Sequence, residues 1–421
     1  MFRTASYSFP SYAVWISRDK VNGAKFTASR ELRTINAHPV KFVAWPNRET
    51  REDETMKRRT LMKTAAVAAV ATAASAFPKP ALSQNRMKWR LITTWPKNLP
   101  GLGTGAQYFA DQVTKCTGGR ITVQLFASGE VVPAFESIDA VGSGTVEMGH
   151  GAPYYWKGKA PASQFVSNIP FGFTALEYNA WYHYGGGSAL CDELYRDQLG
   201  CKFLVCGNTG PQHGGWSKKK ISTVDDYKGL KMRMPGIPAE VLTRMGATVV
   251  NLPGSEVAAA LAAGTIDAVE WNNPYGEATM GFWRHAKYYL TPGWHEPGTV
   301  LEVFINAKKW DGLPDDLKAI IEQCAYSTNQ VMLCEFQARS GPVLETFLKE
   351  RGTVLNTLSD EILMKLGTVT GEVLTELAAK DKMSGKVLKS MMKFRTHQKQ
   401  YTFISDGDFI RARNLPFKFP M

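Results

Sequence analysis

The chain has 421 residues, 44% hydrophobic and 21% charged, with a formal net charge of +12. This composition excludes whole-chain disorder and a collagen-like fibre, and six cysteines are too few for a miniprotein built on disulfides. The length suits two to three domains, and the positive charge raises the question of a nucleic-acid partner.

The N-terminus answers that question. Residues 1–83 hold 14 Lys+Arg and 6 Asp+Glu, a net of +8, which leaves only +4 on the rest of the chain. The largest basic run in the body is Lys218-Lys219-Lys220, which reads as a solvated loop. No basic stripe with interleaved aromatics accompanies it, so no nucleic-acid partner is expected. Residues 56–83 read as a signal peptide. Lys57, Arg58, Arg59 and Lys63 form a basic start, and Thr64 to Phe77 is an uncharged Ala/Val-rich stretch. That stretch is shorter than the ~20 apolar residues of a membrane span. Arg58-Arg59-Thr60-Leu61-Met62-Lys63 fits a twin-arginine export signal, with an ordinary secretory signal as the alternative. Cleavage is expected near Ser83, giving a periplasmic protein. Residues 1–55 read as an over-extended N-terminus with Met56 as the start, or as an organellar presequence, which its six acids disfavour.

The body alternates strands and helices. Lys88–Thr94 reads as a strand, Pro96–Gly105 as a Gly/Pro loop, Ala106–Cys116 as a helix and Arg120–Phe126 as a strand. Phe135–Ser143 reads as a helix and Val146–Gly149 as a short buried strand. Further on, strands are expected at Phe203–Cys206, Leu230–Met234, Thr248–Leu252 and Ile266–Glu270, with helices at Pro238–Met245 and Val257–Ala263, the latter capped by Gly264. This grammar predicts an α/β fold with mostly parallel sheets in two clusters. In the last third, Pro314-Asp315-Asp316 opens a helix with acids in its first turn. Only Gly341-Pro342 interrupts it before Arg351, so a long or kinked helix is expected, followed by helices over Asp360–Ala379 and Lys386–Lys399. No internal repeat is visible.

Candidate chemistry lies at the strand ends. The cysteines at 116, 191, 201, 206, 324 and 334 form no CxxC and no zinc-like cluster, and they can be buried thiols or disulfides. No GxSxG, P-loop or HExxH occurs. Polar residues instead follow strands: Gln212 and His213 after one, Arg233 at the end of a second, Glu270-Trp271-Asn272 after a third, and His295-Glu296 before a fourth. Ligands of α/β sheets bind at such ends. An arginine there can grip a carboxylate through two hydrogen bonds, and Gln212, Glu270 and Glu296 offer oxygen to a hard cation. Equally, Arg233 can pair with a structural acid.

Several segments resemble the solute-binding proteins of TRAP transporters. They are Leu230–Gly236 (LKMRMPG), Gly254–Trp271 (GSEVAAALAAGTIDAVEW), His150–Pro161, Cys206–Trp216 and Gly293–Gly298. The last three are similar to the branch that binds 2-oxo acids or related small monocarboxylates, and the resemblance runs from about Lys88 to the C-terminus. It implies a two-domain periplasmic-binding-protein-like clamshell with long connecting and C-terminal helices. The implied domains are 88–210 plus 297–335 and 211–296 plus 336–395, with a tail at 396–421. It also implies substrate contacts from Tyr155, Gln212, Arg233, Trp271 and Asn272, and a bridging sodium or calcium ion held by Gln212, Glu270, the Trp271 carbonyl and Glu296. The implied partners are a small carboxylate, TRAP membrane subunits and a second copy in a homodimer. The helix from Asp315, with Ile320, Ile321, Cys324, Val331 and Leu333, is the candidate dimer contact. The expected function is therefore uptake rather than catalysis. An exported carboxylate-acting enzyme and a ligand sensor for a signalling partner are the alternatives.

Overall fold

The computed structural model describes residues 86–419. The expected N-terminal extension 1–55 and signal peptide 56–83 lie outside the described residues. Among the described residues no helix is long and apolar enough to cross a membrane.

Two mixed sheets organise the body. The first has the order β2-β1-β3-β10-β4, from strands β1 (Met87–Thr93), β2 (Ile121–Phe126), β3 (Met148–Gly151), β4 (Cys201–Asn208) and β10 (Val300–Asn306). The second has the order β11-β9-β5-β8-β6-β7, from β5 (Gly215–Ser217), β6 (Lys231–Arg233), β7 (Thr248–Val250), β8 (Ala268–Val269), β9 (Tyr288–Thr291) and β11 (Val354–Thr357). This is an α/β fold, and the parallel expectation needs one refinement. β10 runs antiparallel to β3 and β4, and β5 runs antiparallel to β8 and β9. These two strands are where the chain arrives from the other sheet. It leaves β4 of the first sheet for β5 of the second, and returns from β9 to β10. An inserted strand enters from the opposite end, which reverses its direction.

The third crossing is the helix Asp315–Glu350, 36 residues and ~54 Å long at 1.5 Å per residue. Its start packs on the first sheet through Leu317, Ile321, Cys324 and Ala325. Its end sets Phe347 edge-on against Trp216 and Tyr289 of the second sheet, at 5.1 and 6.3 Å between centroids. Pro342 lies inside the helix without ending it. Ile321 and Cys324, expected at a dimer contact, are buried in the protomer's own core.

The helix expected from Ala106 starts at Leu102. Gly103 and Gly105 are therefore helical rather than loop residues. A Cβ on Gly105 would stand 2.1 Å from the Met332 methyl, so the glycine lets this helix close on the long one. Gly264, at φ 77°, ends the helix Gly254–Ala263 as expected. All six cysteines are free, four of them buried. The stretch after Lys382 is helical to Thr402 and continues through a π-turn to a short helix, Asp408–Arg413.

Candidate functional site: a cleft at the chain crossings

Two crossing segments lie side by side. Thr209 N donates to Thr299 O at 3.0 Å, Gln212 N to Glu296 O at 3.2 Å, and Gly214 N to Leu290 O at 2.8 Å. This pairing carries Gln212 and Glu296 to the same point from 84 residues apart. The ends of β6 and β8 arrive there too, since Arg233 pairs with Val269 in register. The resulting cleft is lined by Tyr155, Gln212, Arg233, Trp271 and Asn272, together with Trp95, Leu102, Tyr154, Thr209, Thr299 and Leu301. Glu270 and Glu296 do not line it. They stand directly behind, bonded to Arg233 and Gln212 respectively. The free space in the cleft is about 10 Å³, the volume of a single water centre, so the two walls are closed on each other.

Arg233 is the only side chain lining the cleft that carries a fixed charge, and it is 1% exposed. Its Nη1 donates to the Glu270 carboxylate and to the Glu270 carbonyl, both at 2.7 Å, and its Nε reaches the Leu252 carbonyl at 3.4 Å. The pairing with an acid that the sequence left open is thus present. The guanidinium also lies over the Trp271 ring, 5.0 Å from its centroid, and beside the Tyr155 hydroxyl. Burial alone would lower the Arg233 pKa, but Glu270, Tyr155, Tyr154 and Glu296 together outweigh it, so the pKa is raised and the group is held protonated.

Negative charge exceeds positive charge here. Burial pushes the Glu270 carboxyl up to about 7 against the opposing pull of Arg233. Glu296 is also pushed up to about 7, first by burial and then by the neighbouring Glu270. Glu296 accepts from Gln212 Nε2 at 2.7 Å and from the Thr299 hydroxyl. His295 Nε2 lies 3.4 Å from Glu270, and burial drives its pKa down to about 4, so it is neutral. Glu270, His295 and Glu296 bring one ligand atom each within 4.8 Å of one another. Gln212 Oε1 and Glu270 Oε1 are buried without a hydrogen-bond partner. The unpartnered Gln212 Oε1 and the two crowded carboxylates, with a single arginine against them, form an oxygen donor set that fits a hard cation.

Asn272 is held by its neighbours. Its carbonyl accepts from His213 N at 3.0 Å, and its own N–H meets Glu277 at 3.3 Å. Glu277 is buried and anchored by Tyr289 at 2.6 Å and Trp216 at 3.0 Å. The Asn272 Nδ2 itself has no partner. Burial raises the Tyr155 hydroxyl to about 12, so it stays a donor.

Sequence reasoning missed the opposite wall. Trp95 lies two residues past β1, so the strand-end rule could have found it. Its Nε1 donates to His150 Nδ1 at 2.9 Å, while the His150 Nε2 faces the Cys206 carbonyl at 3.0 Å. His150 is thereby fixed as the Nε2–H tautomer and holds the indole in place. Thr299 and Leu301 lie just past the segment that drew attention, and no local signal marks them.

Comparison with known proteins gives the family. Residues 93–381 match the family DctP, described as bacterial extracellular solute-binding protein, family 7. A monocarboxylate 2-oxoacid-binding periplasmic protein of Nostoc is 41% identical over 298 residues, 70% of this chain and 81% of that one. A TRAP periplasmic solute-binding protein from Colwellia psychrerythraea, solved with calcium and pyruvate, is 38% identical with a TM-score of 0.75. The match covers 78% of this chain and 99% of that one. Another, from Pseudoalteromonas atlantica with sodium and pyruvate, is 37% identical with a TM-score of 0.75, covering 79% of this chain and all of that one.

Proposed function

The chain belongs to the DctP family of bacterial extracellular solute-binding proteins, and from that premise we propose that it is the periplasmic receptor of a TRAP transporter for a small 2-oxo or 2-hydroxy monocarboxylate. The observation that carries this reading is the buried Arg233 facing a compact cleft with surplus carboxylate behind it. Arg233 takes the ligand carboxylate, with Tyr155, Gln212, Trp271 and Asn272 around it. Gln212, Glu270, the Trp271 carbonyl and Glu296 hold the cation. Glu270, Glu296 and the ligand together carry three negative charges against one on Arg233. A calcium ion balances that sum, and a sodium ion reduces it.

The expected lobes, 88–210 plus 297–335 and 211–296 plus 336–395, are the two halves that close on the ligand. The crossings at 209–214 and 292–299 are its hinge, and they support this division because each sheet lies on one side of them. The receptor binds and releases without chemistry, and it hands its ligand to the membrane subunits. Export through the 56–83 signal, cleaved near Ser83, delivers it to the periplasm. A homodimer belongs to the same reading. In place of Ile321 and Cys324, its support is the C-terminal arm, which exposes Phe403, Ile404, Phe409, Ile410, Phe417 and Phe419. A second copy would cover so large an apolar surface.

Pyruvate should raise the melting temperature and quench tryptophan fluorescence, with the effect lost in chelator and restored by calcium or sodium. Silence across a panel of small carboxylates refutes the substrate class. Arg233→Ala should abolish the response while the protein remains folded by circular dichroism. Turnover of the bound acid, followed by mass spectrometry, would favour an enzyme instead.

A further inference from the structure

A second cavity, of about 250 Å³, lies on the outside of the second sheet, where the turn Phe282–Arg284 meets the end of the long helix. Lys218, Arg284, His285, Lys287, Arg351 and Thr353 line it, and none of these lines the ligand cleft. Lys218 comes from the triple-lysine run that the sequence offered as mere solvated surface.

Four fixed positive charges face one hollow without a carboxylate on its wall. Among the described residues, none of the four enters an ion pair. On a body that is otherwise nearly balanced, this concentration costs repulsion. The two guanidiniums are also organised. Arg284 and Arg351 both lie over the Trp283 ring, at 5.0 and 4.7 Å from its centroid. The contact with the ring restrains each guanidinium, and among the described residues neither makes a side-chain hydrogen bond, which leaves their N–H groups for an oxyanion. A separate observation points to a ligand. Thr353 is 7% exposed, and its hydroxyl is buried with no hydrogen-bond partner. A buried hydroxyl left unmatched beside four cations is a donor in need of an acceptor.

We propose that this cavity is a binding site for a phosphate-class dianion, free or carried as a monoester. Arg284 and Arg351 supply paired N–H donors, Lys218 and Lys287 add charge, and Thr353 donates from the floor. A monocarboxylate would balance only one of four charges, so the cavity selects a dianion that the cleft, with its single arginine, does not.

The test uses the full exported chain at low ionic strength, titrated calorimetrically with inorganic phosphate, with phosphoserine, and with chloride at matched ionic strength. Saturable heat with phosphate or phosphoserine and none with chloride supports the site. The tighter of the two identifies a free anion or a monoester as its occupant. Arg351→Ser and Lys287→Ser, both at exposed side chains, should each weaken binding by about tenfold, and Thr353→Val by a few-fold. The pyruvate response should stay unchanged in all three, which separates this site from the cleft. Equal heats in chloride, or phosphate binding unaltered by an Arg284→Ser/Arg351→Ser double variant of unchanged melting temperature, overturn the proposal.

Discussion

Glu302 and Glu270 are both fully buried glutamates with raised pKa values, yet they belong to regions of opposite character. Glu302 sits mid-strand in β10, which is buried along its whole length. It accepts from Trp156 Nε1 at 2.6 Å, and burial pushes it up to about 8. It stands alone among apolar and aromatic side chains, so the cheapest state is the protonated one, a neutral packing element. Glu270 ends a strand of two residues, beside Arg233 and close to Glu296 and His295. There the cluster cannot neutralise itself by protonation without giving up the Arg233 pair. A lone buried acid becomes structure, whereas a crowded set with orphaned oxygens becomes a receptor for charge. The contrast follows strand length. β10 keeps Glu302 inside seven buried residues with no second charge beside it, although its Oε2 has no partner, whereas the two-residue β8 ends at Val269 and delivers Glu270 to Arg233.

Damage to the first sheet's core should cost stability and spare the cleft. Phe304→Ala removes a fully buried ring packed 5.4 Å from Trp156, and should cost about 3–5 kcal/mol in urea unfolding. The pyruvate response below the new midpoint should survive. If binding vanished with the folded state intact, the two regions would not be separable.

Glu270→Gln acts on the other side. The apoprotein should lose stability, by about 3 kcal/mol in urea unfolding, because the buried Arg233 keeps its charge and loses its counter-charge. The cation-dependent gain, about 2.7 kcal/mol for a ligand at a hundredfold excess over its dissociation constant, should disappear from thermal melts. Retained calcium stabilisation would remove Glu270 from the cation site.

The smallest effect is in pH dependence. The Glu302 carboxyl is raised in the folded state, so as pH rises above about 4.5 the unfolded chain loses this proton first. Its contribution to stability is complete below that pH and falls away as pH climbs towards 8. Glu302→Gln should flatten that decline and add about 1 kcal/mol at pH 7, less than full linkage because one carbonyl must still satisfy the Trp156 N–H. Denaturant midpoints at pH 5 and 8 measure it, and an unchanged slope would mean that Glu302 ionises freely.

Much of this was legible along the chain. The strand at Met87–Thr93, the helix Asp360–Lys380 and the 36-residue helix from Asp315 follow from periodicity and capping, which are local. Attention to strand ends picked out Gln212, Arg233, Trp271 and Asn272, all of which line the cleft. The helix start at Leu102 was hidden, because Gly103 and Gly105 look like loop residues until Met332 arrives from the far end of the chain. The reversed directions of β5 and β10 were hidden too, since a strand's orientation depends on its neighbours and not on its own residues.

The sequence by itself determined the α/β alternation, the long helix and which polar residues stand at the ends of strands, because each depends on spacing within a few turns or a single strand. Only the tertiary structure decided that Gln212 meets Glu296, that Trp95 leans on His150, and that four scattered cations share one hollow with Thr353. Those are contacts between segments roughly 55 to 135 residues apart, and no local pattern encodes them: they exist only once strands distant along the chain are set side by side in their sheets and the crossings are aligned.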